Sequence, residues 1–161
     1  MSVKTGYSGV QIGLHWAIAL LIGVNYIVSD GMGRIFDGTL EGKAAVGWTP
    51  FIHVYVGLAV LALVLLRLAV RWMQGAPEAK PSGNAMMDRA GEWTHKLLYL
   101  LLFLVPGLGA VTWYGGLEAT ADLHVIVMNA MMILVLLHAA AALFHQYVLK
   151  DGLLVRMMRA R

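Results

Sequence analysis

Three histidines stand in one long apolar stretch near the end of the chain, residues 123–147: His124, His138 and His145. His124 and His138 are 14 residues apart. On a helix, this separation is about 21 Å along the axis, and the rotation between the two positions is only roughly 40° less than four full turns. The two rings therefore lie on the same face of the helix. His145 comes seven residues later and stays on that face. An ionisable ring is costly in hydrocarbon and usually points into a bundle, where it has a partner. The sequence therefore predicts partners for these rings on other helices.

Two earlier apolar stretches carry one histidine each, His15 and His53, a turn inside one end of the predicted helix. Residues at equal depth on neighbouring helices can face each other across a bundle. Sorted by depth, the histidines form two pairs, His53 with His124 and His15 with His138. His95 and His145 compete for the second pairing, because they lie toward the same membrane face.

Two neutral imidazoles that face each other suit the two axial positions of a haem iron, and helix bundles hold such cofactors in their cores. Zinc would need a further ligand from Cys, Asp or Glu at the same depth, which the apolar interiors do not supply. A quinone alone would use one histidine as a hydrogen-bond donor and would leave two stacked pairs unexplained. Hydrogen bonds between helices are the alternative for each ring. The pairs favour two haems.

The composition identifies the class of protein that must position these rings. The chain has 161 residues, of which 60% are hydrophobic and 13% charged, and a mean hydropathy of +0.72, as expected of an integral membrane protein. Four apolar runs are each long enough to cross roughly 30 Å of hydrocarbon as a helix. They cover approximately residues 12–29, 50–70, 97–114 and 123–147. We expect an all-α, four-helix membrane bundle, with residues 1–161 forming one domain in contact with lipid.

Two stretches of this pattern have alternatives. The first apolar run could be a signal peptide, but His15 in its interior and the lack of a clear cleavage site favour a retained helix. The polar residues 71–95 contain Pro77, Pro81 and Gly83 and are predicted to be a loop between the second and third spans.

Lysine and arginine are distributed unequally between the loops, which predicts the orientation of the chain. Ten of the twelve lie at the two termini or around the second loop: Lys4, Arg67, Arg71, Lys80, Arg89, Lys96, Lys150, Arg156, Arg159 and Arg161. The other two loops hold only Arg34 and Lys43. We therefore expect both termini in the cytoplasm of a bacterium and the first and third loops in the periplasm. The sequence pI near 9.3 follows from this bias and requires no nucleic-acid partner.

Glycines within or near the predicted helices could make room for a flat macrocycle, although ordinary close packing of helices explains them equally well. They are Gly13, Gly57, Gly107 and Gly109.

Four segments of the chain resemble the prokaryotic cytochrome b561 family. They read YSGVQIGLHW at 7–16, FIHVYVGLAVLALVLLRLAVRW at 51–72, THKLLYLLLFLVPGLG at 94–109 and HAAAALFHQYVLKDGLLVRMMRAR at 138–161. The resemblance implies a bundle that binds two b-type haems, each between two histidines. Carried over by position, His15 and His138 would hold the cytoplasmic haem, and His53 and His124 the periplasmic one.

The resemblance also implies an activity. The best-understood one in the family is superoxide oxidase, in which periplasmic superoxide donates electrons and ubiquinone in the inner membrane accepts them, yielding dioxygen and ubiquinol. Quinone reduction needs protons, and His95, Lys96 and His145 could relay them, although they could equally be interfacial residues. Arg67 and Arg71 could pair with haem propionates, although the positive-inside bias also explains them.

The predicted periplasmic loops argue against an anionic donor, because acidic residues outnumber basic ones there. Against Arg34 and Lys43 stand Asp30, Asp37, Glu41, Glu118 and Asp122. The loop at 115–122 is also shorter than the family's usual form. A second hypothesis is therefore an electron-transfer subunit that links a basic periplasmic redox protein, such as a cytochrome c, to the quinone pool. A third is a small transport or scaffold protein without haem.

Overall fold

The computed structural model describes residues 6–78 and 81–160, and within them the chain forms helices and no strand. Five α-helices follow one another: α1 Gly9–Ile27, α2 Met32–Leu40, α3 Trp48–Gln74, α4 Ala85–Gly115 and α5 Glu118–Phe144. A π-helical turn, His145–Leu149, continues α5, and a 3-10 turn, Leu154–Met157, follows it. Lys4, Lys80 and Arg161, which were counted for the orientation, lie outside the described residues.

Four of these helices are long and apolar enough to span a membrane: α1, α3, α4, and α5 together with its π-helical turn. The prediction of an all-α membrane protein with four spans is confirmed. Neighbours in the sequence pack together, α1 against α3, α3 against α4 and α4 against α5. We call the end of the bundle that carries α2 the outer end. The opposite end, where α1 begins and α5 finishes, is the inner end.

The α4 helix begins at Ala85, so the prediction of a loop over residues 71–95 is wrong for much of its length. Asn84 caps the helix, because its side-chain oxygen accepts hydrogen bonds from the N–H groups two and three residues later, at 2.9 and 3.3 Å. The negative charge of Asp88 in the first turn interacts favourably with the positive end of the helix dipole. Hydropathy detects only the apolar part of such a helix. Because α4 begins at Ala85, His95 lies well inside the helix and not at its start.

The short helix α2 was also missed, because it lies in the stretch predicted to be the first periplasmic loop. Its nine residues are too few for a span, and they include polar as well as apolar side chains. Phe36, which is 5% exposed, packs the helix against the bundle. The helix α2 therefore covers part of the outer end of the bundle.

Polar contacts join the ends of two helices at the inner end. Ser8 and Gln11 form a capping box at the start of α1. The Gln11 side-chain amide also donates to the carbonyl oxygen of Gly75, just after α3, at 2.8 Å. The Trp16 indole N–H on α1 donates at 2.9 Å to the carbonyl oxygen of Met157, which lies near the end of the chain. The last described segment therefore packs beneath the bundle.

The buried core lies between the two ends. One cluster consists of Ile18, Val60 and Val64, and a second of Leu101, Val105 and Met131. Met131 is seven residues from His124 and seven from His138, so this packing occupies the middle of the bundle. It separates the histidines of the outer end from those of the inner end.

Candidate functional site

His53 on α3 and His124 on α5 face each other at the outer end. Their ring centroids are 6.1 Å apart and their planes are inclined by 89°. Two imidazoles bound to opposite sides of one metal ion, each through a metal–nitrogen bond of about 2 Å, place their centroids roughly 6 Å apart. The spacing of this outer pair therefore fits an iron ion between the two rings.

A large cavity surrounds the outer pair. It measures about 1080 Å³ including the space at its mouth, and all five helices contribute to its wall. Most of the lining is apolar, as in cofactor pockets of comparable size. Among the apolar lining residues are Met32, Phe36, Leu102, Met128 and Met132. A flat apolar macrocycle with its iron between His53 and His124 suits such a space.

The His124 ring is held against α4 by two contacts. Its Nδ1 lies 2.9 Å from the carbonyl oxygen of Val105, which can only accept, so Nδ1 carries the proton. The ring also lies against the backbone of Gly109, where a Cβ atom would be 3.0 Å from Cε1. Both contacts leave Nε2 with its lone pair free for a metal, and such outer hydrogen bonds fix the orientation of a ligating ring.

His53 is held differently. Its Nδ1 is buried and makes no hydrogen bond within the described residues, and the same is true of the Asn25 side-chain oxygen. Asn25 and His53 line the same cavity. Sequence reasoning passed over Asn25, although a single amide inside an apolar helix is itself a signal, because a buried amide needs hydrogen-bond partners.

At the inner end, His15 on α1 and His138 on α5 have ring centroids 6.3 Å apart, with planes inclined by 76°. This inner pair also fits the spacing of two axial ligands. His95 on α4 joins the same group, with its centroid 5.2 Å from that of His138. That distance is shorter than an iron between the two rings requires. The structure therefore brings three histidines together here.

The charge of Arg67 acts on both His15 and His95, and the charge of Arg71 acts on His95. The Arg67 Nη1 donates to the Gln11 carbonyl oxygen at 2.6 Å, and its Nε to the Tyr99 hydroxyl at 3.2 Å. A guanidinium has five N–H donors, so further donors are left for an anionic group. Arg71, one turn later, is exposed.

Two residues proposed as proton relays lie in other surroundings. Lys96 pairs with Glu92 at 2.7 Å, and its ammonium lies 4.9 Å from the Trp93 ring centroid. His145 binds Asp151 through Nδ1 at 2.5 Å, and 17% of each side chain is exposed. These contacts do not place Lys96 or His145 in the group formed by His15, His95 and His138.

Comparison with known proteins identifies the fold's family. The profile described as prokaryotic cytochrome b561 matches residues 6–160. The chain belongs to the prokaryotic cytochrome b561 family. It is therefore a membrane electron-transfer protein of a cytochrome b family, for which haem b is the implied cofactor, and the two histidine pairs fit that group.

The chain is 47% identical to cytochrome b562 of Cereibacter sphaeroides, over the whole length of both proteins. It is 30% identical to the probable superoxide oxidase CybB of Yersinia pestis, covering 94% of this chain and 95% of that one. It is 27% identical to cytochrome b561 homolog 1 of Escherichia coli, covering 96% and 98%. The alignment with cytochrome b562 runs over 161 residues and that with CybB over 173, so the latter contains gaps in this chain.

Proposed function

We propose that this cytochrome binds two b haems, one in the outer pair and one in the inner pair, and carries electrons between the outer face of the membrane and the ubiquinone pool. The observation that supports this most directly is the occurrence of two facing histidine pairs, at 6.1 and 6.3 Å, at opposite ends of one bundle. One pair would provide a single redox centre at one face. Two pairs provide a route across the membrane.

A haem between two histidines supplies a one-electron iron couple. The protein's part is to hold the ligands and to exclude water. His124 keeps its Nε2 pointed into the outer cavity because Val105 and Gly109 fix the ring. Val64, which is fully buried, and Met131 close the middle of the bundle. At the inner end, Arg67 has donors available for a propionate, and Arg71 could assist.

Superoxide is the first electron donor that we propose. The 30% identity to a probable superoxide oxidase supports it. Two superoxide ions would each give one electron and become dioxygen, and ubiquinone would take two electrons and two protons to become ubiquinol. His95 can pass a proton from a ring nitrogen, since it lies beside His138 at the inner end. Lys96 and His145 stay further candidates for that relay.

A basic periplasmic redox protein is the second donor, and the charge of the outer end favours it. Lys43 forms an ion pair with Glu41, so the carboxylate neutralises one of the two basic residues in the outer loops. The remaining acidic side chains would attract a basic partner and repel an anion.

We also propose that both termini lie in the cytoplasm and that the protein resides in a bacterial inner membrane. The positive-inside distribution supports this orientation. A prokaryotic family agrees with the compartment. The outer end would then face the periplasm and the inner end the cytoplasm.

Two measurements on the detergent-purified protein test the proposal. A pyridine haemochrome assay should give two b haems per chain, and one haem or none would contradict a route across the membrane. Stopped-flow mixing should then compare superoxide with reduced cytochrome c as donors. Rapid haem reduction by superoxide would support the oxidase, whereas rapid reduction only by the protein would reject it in favour of the second donor.

A further inference from the structure

Two exposed leucines lie at the turn between α4 and α5, at the outer end of the bundle. Leu40 is the last residue of α2 and Leu117 the residue before α5, and they are 45% and 50% exposed. Leu40 lies against the turn, because a Cβ on Gly116 would stand 3.8 Å from its Cδ2. Leu117 lies against Gly115, where a Cβ would stand 3.5 Å from its Cγ. We call these four residues the outer patch.

Acidic side chains border the outer patch. The residue that follows each leucine is a glutamate, and an aspartate lies four positions from each glutamate, about one helical turn away on the same face. These four exposed residues, which we call the acidic rim, are Asp37, Glu41, Glu118 and Asp122. Carboxylates are costly in hydrocarbon. The leucines of the outer patch are therefore surrounded by water and not by lipid.

An apolar centre with a polar rim is the usual anatomy of a protein–protein interface. Two leucines make a small centre, which fits the weak and transient contacts of electron-transfer partners. Lys43 pairs with Glu41 of the rim, whereas Arg34 lies beside Gly31, at the opposite end of α2 from Leu40. The other three carboxylates of the rim make no ion pair within the described residues. A partner with lysines around its redox centre would complement them.

A short chain of hydrogen bonds joins the outer patch to the outer cavity. The Thr120 hydroxyl donates to the Leu117 carbonyl oxygen at 2.7 Å and lies 2.8 Å from the Thr112 hydroxyl. Since the Thr120 proton is used in the first bond, the Thr112 hydroxyl is the donor of the second. Thr112 is buried and lines the cavity around His53 and His124. Two hydroxyl groups thus bridge the outer patch and the wall of the cavity.

We propose that the outer patch is the docking surface for a basic redox protein, which places the exposed edge of its one-electron centre on Leu40 and Leu117. This inference rests on the proposed function, and within it on the second donor. The acidic rim guides the approach of the basic partner. The two leucines exclude water from the centre of the contact, so the partner's redox centre comes close to the wall of the outer cavity.

The test measures docking apart from electron transfer. Oxidised cytochrome c, a basic protein, is titrated calorimetrically into the oxidised, detergent-purified haem protein at low ionic strength. Leu40→Gln combined with Leu117→Gln removes the apolar centre and keeps every charge. We expect the Kd to rise about tenfold, with an unchanged dependence on salt and two haems per chain. Ile27→Gln is the matched control, since Ile27 is 77% exposed at the outer end of α1 and lies outside the patch.

Charge variants separate docking at the patch from the general field of the outer end. Glu118→Gln and Asp30→Asn each remove one negative charge, but Glu118 borders the patch whereas Asp30 lies at the opposite end of α2 from Leu40. We expect Glu118→Gln to raise the Kd several-fold and Asp30→Asn to change it much less. Lys43→Gln frees the Glu41 carboxylate from its ion pair and should lower the Kd.

Three outcomes would overturn the inference. An equal loss of affinity in Ile27→Gln and in the leucine variant would show that the apolar contact is not confined to the patch. An equal effect of Asp30→Asn and Glu118→Gln would assign the attraction to the whole outer end, and no binding to the wild-type protein would exclude a basic partner. All three leave two haems and the superoxide donor in place. Failure of the proposed function has a different signature, the absence of two haems from the wild-type protein.

Discussion

The imidazole of His124 lies against the backbone of Gly109, so closely that a Cβ on this glycine would stand 3.0 Å from Cε1 and 3.3 Å from Nδ1. The two residues lie on α5 and α4 and bring these helices together beside the outer cavity. The sequence left two explanations open for this glycine, the close packing of helices and room for a cofactor. In the structure, the space serves the histidine ring itself.

Replacing Gly109 by alanine should therefore disturb the outer pair. The new methyl group must push the imidazole away from the Val105 carbonyl. The ring is the part that moves, because the methyl group would be fixed to the backbone of α4. We expect a 10- to 100-fold loss of affinity for the outer haem, in the range reported for outer-shell changes at metal sites. Haem content per chain measures it. Gly107→Ala is the control, since its Cβ would meet no atom within 4 Å, and an equal loss there would contradict the prediction.

The assignment of axial ligands can be tested by removing one ring at a time. His53→Ala or His124→Ala should each abolish the outer haem, and His15→Ala or His138→Ala the inner one. Haem stoichiometry and the two redox waves report which centre is lost. Loss of a haem in His145→Ala, together with its retention in His138→Ala, would reject the inner pair.

His95 should be required for quinone chemistry and not for haem binding. Its centroid lies 5.2 Å from that of His138, too close for an iron between the rings, whereas His15 stands at 6.3 Å. We expect His95→Gln to retain two haems and to slow quinone reduction about 10²-fold or more, as is typical for loss of a general acid. Stopped-flow reoxidation by a soluble ubiquinone analogue measures it. If His95→Gln loses the inner haem while His15→Ala keeps it, the inner pair is His95 with His138.

The nature of the donor should be visible in the dependence on salt. With reduced cytochrome c as the donor, the acidic outer loops should attract the basic protein, so the second-order rate should fall as ionic strength rises. Asp37→Asn combined with Glu118→Gln should lower that rate at low salt and flatten its salt dependence. With superoxide, the same changes should raise the rate. An identical response to both donors would show that these charges do not steer either one.

The four spans and the two pairs could be predicted because both are local properties of the sequence. A run of apolar residues sets the length of a helix, and the position of a histidine in that run sets its depth. The polar start of α4 and the short helix α2 could not be predicted in this way, because hydropathy reports only the segments that meet hydrocarbon. Their formation depends on the cap at Asn84 and on the packing of Phe36.

The contacts that surround the rings could not be predicted either, for a different reason. The contacts of Gly109 and Val105 with His124 depend on which turn of α4 meets which turn of α5, and a single sequence does not contain that register. The same holds for His95, which was predicted at the start of its helix. It lies beside His138 because α4 begins earlier than its apolar segment suggests.

The helix α5 supplies one histidine to each pair, His124 to the outer and His138 to the inner. It is also the last of the four spans to leave the ribosome. Neither of the two proposed haem sites can therefore be complete until α5 has been inserted. Loading with haem would thus report on the insertion of α5, and a product that ends before α5 should stay colourless.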